Sequence, residues 1–204
     1  MKNQEIERKF LVNTPLEIDI TQYRGKTITQ GYVLNRDIKI DETESAIIAN
    51  NNPIPLSAEQ LNKLMEFNPL GEIDLDKDTF RLRQITYPDN KIVNVITLKS
   101  PSTNRGFSRT EVECELTKEQ FESLFPLCEN NIVKKIRYNI ELEGIENTVL
   151  ELDIFLGKHT GLILAEFEFE NLAEANKFVV PSILDCVEVT GDKKYTNIEL
   201  AKII

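Results

Sequence analysis

The sequence has few of the residues from which many enzyme sites are built. It contains no tryptophan, one histidine and three cysteines among 204 residues. A Ser-His-Asp triad needs a histidine as its general base. The single histidine, His159, lies in the turn Gly157-Lys158-His159-Thr160-Gly161, which nearly excludes such a triad. We expect His159 to be a turn residue.

The three cysteines, Cys114, Cys128 and Cys186, are odd in number and form no Cys-x-x-Cys pair. They therefore predict neither a disulfide framework nor a zinc site. No Gly-x-x-x-x-Gly-Lys segment and no Gly-x-Gly-x-x-Gly segment follows a predicted strand. The sequence thus excludes the P-loop and Rossmann modes of nucleotide binding.

Long apolar runs and excess positive charge are also absent. No run of about 18 apolar residues occurs, and the N-terminal segment is charged, without the apolar core of a signal peptide. The net charge is -10 and the sequence pI is about 4.8. These features predict a soluble, cytoplasmic protein that binds neither membranes nor nucleic acid.

The overall composition, with 41% hydrophobic and 28% charged residues, is typical of a globular protein. We expect a single domain over residues 1–204, with about eight strands and four helices. Between residues 35 and 78, acidic and Asn-rich stretches predict an inserted loop that carries one short helix, with Ser57 and Gln60 as its capping box. Thr117 and Gln120 predict a second capping box before another helix.

Charged residues alternate with apolar ones along most of the predicted strands. In Glu5-Ile6-Glu7-Arg8-Lys9-Phe10, a period of two places Glu5, Glu7 and Lys9 on one face. The same alternation places Arg81 and Arg83 opposite Phe80 and Leu82 in a later strand. Such a face is usually only a solvated surface. Here, however, acidic and basic residues are segregated by strand, whereas solubility alone would favour mixing them.

An antiparallel sheet of eight strands tends to curl or close. The sequence therefore predicts an α+β fold in which an eight-stranded antiparallel β-barrel encloses a charged lumen and the helices pack outside. Arginine and lysine side chains match the oxygens of a phosphate chain. Glu-x-Glu pairs supply oxygen ligands for Mg²⁺ or Mn²⁺. Together these groups favour phosphoryl chemistry.

An ordered series of short motifs resembles the CYTH superfamily, the triphosphate tunnel metalloenzymes, over nearly the whole chain. The motifs are Glu5-x-Glu7-x-Lys9, Gln30-Gly31-Tyr32, Arg81-x-Arg83, Thr97-Leu98-Lys99, Arg109-x-Glu111-x-Glu113, Lys135-x-Arg137, Glu151-Leu152-Asp153, Glu166-x-Glu168 and Lys194-Tyr195-x-Asn197. The resemblance implies an eight-stranded tunnel that binds a triphosphate and one or two divalent metal ions, Mg²⁺ or Mn²⁺. The sequence is most similar to short bacterial tripolyphosphatases, although its connection between Tyr32 and Arg81 is longer than theirs.

The resemblance also implies roles for individual residues. The implied metal ligands are Glu5, Glu7, Glu166 and Glu168, with Glu111, Glu113 and Asp153 as further candidates. The implied triphosphate clamp is Arg81, Arg83, Lys99, Arg109, Lys135 and Arg137, with Lys193 or Lys194 closing one mouth. Lys9 and Tyr32 form a hypothetical catalytic pair that positions or activates the attacking water. The alternative for Lys9 is one more phosphate clamp.

The expected activity is metal-dependent hydrolysis of a small-molecule triphosphate, with inorganic tripolyphosphate giving diphosphate and phosphate. Three alternatives stay open: a class IV adenylate cyclase, a thiamine triphosphatase, and a non-catalytic polyphosphate-binding module. A cyclase would need an adenine pocket, for which the sequence offers no residue. A homodimer is also possible.

Overall fold

The computed structural model describes residues 4–13, 16–34, 38–68, 70–101, 108–142 and 148–202; for residues 4, 5 and 108–110 it describes the backbone only. The strands in this part of the chain, β1 to β12, are Gln4–Val12, Lys26–Val33, Ile38–Asp41, Ala46–Ala49, Asn52–Pro55, Thr79–Thr86, Ile92–Lys99, Ser108–Leu116, Ile132–Glu141, Val149–Phe155, Ile163–Glu168 and Cys186–Glu188. The α-helices, α1 to α4, are Ala58–Met65, Lys118–Leu124, Leu172–Lys177 and Asn197–Lys202. Short 3₁₀ turns occupy Ile20–Gln22, Phe125–Cys128, Gly157–His159 and Lys193–Tyr195.

A large antiparallel sheet dominates the fold, with the strand order β11-β10-β9-β2-β6-β7-β8-β1-β12. It has nine strands where the sequence predicted eight, because the short strand β12 was missed. β12 pairs with Phe10–Val12 of β1. β1 also pairs with β11 from Glu7 to Leu11. The pairings therefore lead from β1 through β11, β10, β9, β2, β6, β7 and β8 back to β1. The α+β class with a mainly antiparallel sheet is confirmed.

The inserted segment contains more regular structure than the sequence predicted. β3, β4 and β5 form a separate three-stranded antiparallel sheet, so the expected loop with a single helix was wrong. The helix itself, α1, begins at the predicted capping box: Ser57 Oγ accepts a bond from the Gln60 amide at 3.2 Å, and Gln60 Oε1 accepts one from the Ser57 amide at 2.9 Å. The second capping box, at Thr117 and Gln120, is also present.

Alternation along β6 separates an apolar face from a charged one. Phe80 and Leu82 are no more than 1% exposed and belong to a core cluster on the outer side of the sheet. The three-stranded sheet, α1 and α2 contribute Ile40, Leu64 and Leu124 to that same cluster. The inserted segment thus forms an outer layer over β6, β7 and β8. A second apolar cluster covers the outer side of β1, β10 and β11.

One helix, α4, does not pack on the outer side of the sheet. Leu200 and Ala201 of α4 are buried with Tyr32, Phe155 and Leu164. By strand alternation these three residues share the charged face, since Leu164 precedes Glu166 by two positions. α4 therefore covers one end of the charged face, and the prediction that all helices pack outside was wrong for it.

The turn that contains His159 holds the C-terminal end of α4. His159 Nε2 lies 2.7 Å from the carbonyl oxygen of Leu200, and Lys158 Nζ donates to the carbonyl of Ala201 at 2.9 Å. Positive and polar side chains at a helix C-terminus satisfy carbonyl groups that have no partner within the helix. His159 is a turn residue, as predicted, with a capping function.

The longest helix in the described part of the chain, α1, has eight residues. No helix there has the length and apolar composition needed to cross a membrane.

Candidate active site

The charged face of the sheet borders a cavity of about 780 Å³. Eight cationic and eight acidic side chains are among the described residues that line it. The cations are Lys9, Lys77, Arg81, Arg83, Lys99, Lys135, Arg137 and Lys193. The acids are Glu7, Glu111, Glu113, Glu151, Glu166, Glu168, Asp192 and Glu199. The lining is therefore dense in charge but close to balanced, which lowers the cost of holding many cations together.

The wall formed by β1, β9, β10 and β11 is joined by ion pairs around Glu166. Lys9 Nζ lies 2.9 Å from Glu166 Oε1 and 3.6 Å from Glu7 Oε1. Arg137 Nη2 donates to Glu166 Oε2 at 2.6 Å. Burial alone would raise the pKa of Glu166, but Lys9 and Arg137 hold it well below its ordinary value. Glu166 is thus an ionised carboxylate at the floor of the cavity.

Asp153 lies beneath this wall and does not border the cavity. Its side chain is fully buried, and Arg137 donates to both of its oxygens, from Nε at 2.6 Å and from Nη2 at 2.5 Å. Lys135 Nζ also contacts Asp153. Register explains the arrangement, because Asp153 of β10 lies directly opposite Arg137 of β9. The carboxylate therefore fixes the two cations that cover it.

The two cations above Asp153 have different electrostatic environments. Burial, with a smaller effect from Arg137, lowers the pKa of Lys135 to about 8. Burial would also lower the pKa of Arg137, but Asp153 and Glu166 raise it well above its ordinary value. Arg137 is a permanent positive charge, whereas Lys135 holds its proton less firmly.

The opposite wall, formed by β6, β7 and β8, carries a second set of ion pairs. Arg81 Nη2 donates to Glu113 Oε1 at 3.0 Å and to Thr97 Oγ1 at 3.0 Å. Glu111 contacts both Arg81 and Lys99. Burial alone would raise the pKa of Glu113, but Arg81 and Arg83 lower it. Both carboxylates on this wall are therefore shared among cations.

Arg81 and Arg83 retain unused hydrogen-bond donors. The Nε atoms of both are buried and without a hydrogen-bond partner. Burial, with the neighbouring charge of Arg81, lowers the pKa of Arg83 to about 10, which still leaves it charged at neutral pH. Two adjacent buried guanidinium groups with free donors are a strong attraction for an anion.

Tyr32 lines the cavity between these walls and is 3% exposed. Its hydroxyl oxygen accepts a hydrogen bond of 2.9 Å from Nε2 of Gln30. Tyr32 lies opposite Arg81 in the pairing of β2 with β6. Lys9 and Tyr32, the predicted catalytic pair, thus border one cavity.

Two curated proteins resemble this chain. The inorganic triphosphatase of Acetivibrio thermocellus is 38% identical over 133 residues, which cover 65% of this chain and 78% of that protein. The chain belongs to the inorganic triphosphatase family. The inorganic triphosphatase of Nitrosomonas europaea is 40% identical over 106 residues, covering 52% of this chain and 66% of that protein.

A solved structure is similar to this member of the inorganic triphosphatase family over the whole chain. It is the crystal structure of the inorganic triphosphatase NE1496, with a TM-score of 0.55 and 29% identity, covering 100% of this chain and 97% of the other. No family model matches the chain. The structural alignment therefore includes both the inserted segment and the large sheet of this chain.

In this triphosphatase family member, one residue predicted to close a mouth of the tunnel, Lys194, lies away from the cavity. Lys194 is exposed, with its Nζ 5.3 Å from the centre of the Tyr195 ring, while Lys193 lines the cavity. The side chains of Glu5 and Arg109 lie outside the described part of the structure, although their backbones pair directly in β1 and β8. The remaining predicted residues, Asp153 excepted, border the cavity.

Sequence reasoning missed several residues that this triphosphatase family member brings to the cavity. Glu151 lines it and contacts Arg137; alternation placed Glu151 on the same face as Asp153, but only Asp153 was named as a candidate ligand. Lys77 comes from the inserted segment, where no periodic pattern marked it. Asp192 and Glu199 come from the turn and helix that cover one end of the cavity.

The carboxylates of this triphosphatase family member fit a divalent metal ion in their chemistry. Glu7 and Glu168 are directly opposite in the pairing of β1 with β11, and Glu166 follows on the same face. Like charges in such a cross-strand pair are destabilising, which a cation between them would relieve. Among the described residues, no group of three acidic or other ligating side chains is close enough to hold a metal as it stands.

Proposed function

We propose that this chain hydrolyses inorganic triphosphate to diphosphate and phosphate. One observation carries the proposal: six cationic side chains, all mostly shielded from solvent, converge on one cavity in a protein of net charge -10. They are Lys9, Arg81, Arg83, Lys99, Lys135 and Arg137. Carboxylates balance these cations in the protein alone, but the Nε donors of Arg81 and Arg83 are buried without partners. A bound polyanion would supply the missing acceptors. The two curated relatives are named for activity on an inorganic triphosphate.

We further propose that the pairing circuit of the large sheet forms an eight-stranded tunnel around this cavity, in a single domain with the inserted segment as its outer layer. The support is that β1 pairs with both β8 and β11. A closed sheet would hold opposite walls at a fixed separation and exclude bulk water between them. Fixed charges in such a site act more strongly than they do in water.

The proposed triphosphate clamp consists of the cations on both walls. Arg81 and Arg83 would use their free Nε donors, and Lys99, Lys135 and Arg137 would neutralise the phosphate chain. Lys193, which lines the cavity, completes the proposed set together with Arg109 and Lys194. In the protein alone, carboxylates balance these cations; phosphate oxygens would replace part of that contact. The released carboxylates then become available to a divalent metal ion.

Glu7, Glu166 and Glu168, with Glu5, are the proposed holders of Mg²⁺ or Mn²⁺, and Glu111 and Glu113 are candidates on the opposite wall. When bound, such an ion neutralises charge on the phosphate oxygens and lowers the pKa of a coordinated water. Asp153, a ligand candidate by sequence, is better suited to holding Lys135 and Arg137 in place.

Lys9 and Tyr32 are the proposed pair that positions the attacking water. The water oxygen forms a bond to the terminal phosphorus, the bond from that phosphorus to its bridging oxygen breaks, and diphosphate leaves. The water proton passes to a phosphate oxygen of the products or to solvent. Glu166 and Glu7 hold the Lys9 ammonium group beside the phosphate clamp. In this position it can orient water or stabilise the charge that develops on oxygen.

The cavity lining favours an inorganic substrate over a nucleotide or thiamine triphosphate. Among the described lining residues, the apolar and aromatic ones are Tyr32, Pro101, Val189 and Ile198. A base or thiazole ring would need a larger apolar surface for binding. The cyclase and thiamine triphosphatase alternatives are therefore not favoured. Both curated relatives are named as triphosphatases, so the non-catalytic binding module is not favoured either.

The test is to incubate the protein with tripolyphosphate, ATP or thiamine triphosphate in the presence of Mg²⁺ or Mn²⁺. Free phosphate and cyclic AMP are measured together. We expect phosphate release from tripolyphosphate at the highest rate and no cyclic AMP. Binding without release of phosphate would contradict the proposal, as would cyclic AMP formation. A cytoplasmic location and a homodimer stay predictions, which fractionation and light scattering test.

A further inference from the structure

Gln30 is a fully buried amide on the cavity-facing side of β2. Its side chain is 0% exposed, and it does not itself border the cavity. Nε2 donates to the hydroxyl oxygen of Tyr32 at 2.9 Å. Its other end, Oε1, is buried without a hydrogen-bond partner. A buried amide with one unsatisfied end costs stability, so its presence here calls for a functional reason.

The neighbouring strand explains which way the amide points. Gln30 lies directly opposite Arg83, and Tyr32 directly opposite Arg81, in the pairing of β2 with β6. In the field of two guanidinium groups, an amide oxygen is favourable and an NH₂ group is unfavourable. The end of the amide that is not bonded to Tyr32 is therefore the oxygen, and the NH₂ group is the end that faces the phenol.

This orientation decides what the Tyr32 hydroxyl can do. A phenol has one O–H donor and accepts through its oxygen. Because the Gln30 amide donates to that oxygen, the O–H bond cannot be directed at Gln30. The O–H group is therefore directed at an acceptor other than Gln30. Tyr32 borders the cavity, so a phosphate oxygen bound there can take the place of that acceptor. The oxygens of a triphosphate are acceptors and have few or no protons to donate at neutral pH.

We propose that Gln30 is a positioning residue, which fixes the Tyr32 hydroxyl as a hydrogen-bond donor to a phosphoryl oxygen bound in the cavity. The inference rests on the proposed triphosphatase function and separates the roles of the proposed pair: Lys9 orients the water, and Tyr32 holds the phosphoryl group that the water attacks. Tyr32 then stabilises charge on the phosphate and does not take a proton from water. Gln30 acts only through Tyr32 and does not touch the substrate.

A double-mutant cycle with inorganic tripolyphosphate tests the coupling between the two residues. Gln30→Met keeps the length of the side chain and removes both the donor and the acceptor. We expect it to lower kcat about tenfold, and Tyr32→Phe to lower kcat about a hundredfold, both with KM nearly unchanged. The double variant should equal Tyr32→Phe, because an effect transmitted through a hydroxyl vanishes when the hydroxyl is gone.

Gln84→Met is the matched control. Gln84 lies on the neighbouring strand β6, its Nε2 donates to Asn94 Oδ1 at 3.1 Å, and it does not line the cavity. We expect its kcat to equal that of the unmodified protein. Gln30→Glu serves as the second variant if Gln30→Met does not fold. A carboxylate at position 30 would accept a hydrogen bond from the Tyr32 hydroxyl and so direct it away from the substrate. The kcat of Gln30→Glu should therefore fall at least as far as that of Tyr32→Phe.

Two kinetic results would overturn the proposal. One is that Gln30→Met has the same kcat as the unmodified protein. If Gln30→Met is unstable, the same result for Gln30→Glu counts instead. The other is a double variant whose kcat lies below that of Tyr32→Phe by the same factor by which the Gln30 change alone lowers kcat. That result would show that Gln30 acts through packing and not through the hydroxyl.

A crystal structure with inorganic tripolyphosphate, prepared without divalent metal, gives a readout that needs no turnover. We expect Tyr32 Oη at about 2.5 to 3.0 Å from a phosphate oxygen, and a longer separation in Gln30→Met. If the unmodified chain binds tripolyphosphate in this way but does not hydrolyse it, the proposed function fails and the role of Gln30 stands. A cavity without tripolyphosphate, or Tyr32 turned away from it, overturns the role of Gln30.

Discussion

Both carboxylate oxygens of Asp153 accept hydrogen bonds from the guanidinium group of Arg137, which lies directly opposite on β9. The carboxylate is fully buried and also contacts Lys135. Removing one partner from such a group leaves uncompensated buried charge, which is more costly than losing an exposed ion pair.

We therefore predict that Asp153→Asn lowers the free energy of unfolding by about 3 to 5 kcal/mol, measured by urea denaturation. The substitution preserves shape, removes the charge and replaces one acceptor oxygen by an NH₂ group that faces donors of Arg137 or Lys135. Glu151→Gln is the matched control, because Glu151 also contacts Arg137 but borders the cavity. Glu151→Gln should lower the free energy of unfolding clearly less than Asp153→Asn does. Equal losses from the two variants would contradict a special role for the buried carboxylate.

Glu7 and Glu168 face each other across β1 and β11, which makes Glu168→Gln a test of the proposed metal site. Added Mg²⁺ or Mn²⁺ should raise Tm for the unmodified protein, but much less for Glu168→Gln. Calorimetry measures both shifts in Tm.

Glu115→Gln is the control for this metal prediction. Glu115 lies on β8 beyond Glu111 and Glu113 and is not among the residues that line the cavity. Its response to Mg²⁺ or Mn²⁺ should match that of the unmodified protein. A shift in Tm that survives in Glu168→Gln would place the metal elsewhere.

Lys9 has two possible roles, which kinetics can separate. If Lys9 and Tyr32 act together on the reacting groups, Lys9→Met and Tyr32→Phe should each lower kcat by about a hundredfold, with little change in KM. If Lys9 is one more phosphate clamp, Lys9→Met should mainly raise KM. Initial rates over a range of tripolyphosphate concentrations distinguish the two patterns.

Lys77 brings a positive charge from the inserted segment to the cavity, where its Nζ lies 2.5 Å from Asp74 Oδ2. We predict that Lys77→Ala raises KM for tripolyphosphate about two- to fivefold and leaves kcat unchanged, because an exposed charge contributes modestly. The effect should shrink as salt is added, since ions screen exposed charges. Steady-state kinetics at two ionic strengths measure it.

Lys39→Ala is the matched control for Lys77→Ala. Lys39 belongs to the same inserted segment and forms a similar pair, with Nζ 2.7 Å from Asp41 Oδ2, but it does not line the cavity. KM should not change. A similar rise in KM in both variants would mean that the effect comes from net charge and not from the position of Lys77.

The inserted segment shows where sequence reasoning failed. Ile38 and Ile40 alternate with exposed Lys39 in β3, but three strands of four residues each give a weak periodic signal. Acidic and Asn-rich turns between them predicted a loop instead. Burial against Phe80 and Leu82 of the large sheet makes these short strands stable, and this partner surface cannot be read from the segment itself.

Gly31 shows the opposite case, in which the sequence indicated a constraint whose partner the structure supplied. A glycine inside a strand is typical of a bulge or of a close approach by another backbone, and here the close neighbour is a side chain. In the structure, a Cβ at Gly31 would lie 2.6 Å from Sγ of Cys128, which belongs to the 3₁₀ turn after α2. The sequence could not name Cys128, because the two residues are far apart along the chain.

The sequence by itself determined which side chains share a face of each strand, because the period of two is a property of the backbone. It thereby grouped Arg81 with Arg83 and Glu166 with Glu168, and the capping boxes located two helices. Only the tertiary structure decided which charges meet across strands: register places Asp153 beneath Arg137, Gln30 opposite Arg83, and Glu7 opposite Glu168. Register depends on packing between segments distant in sequence, which no local pattern specifies.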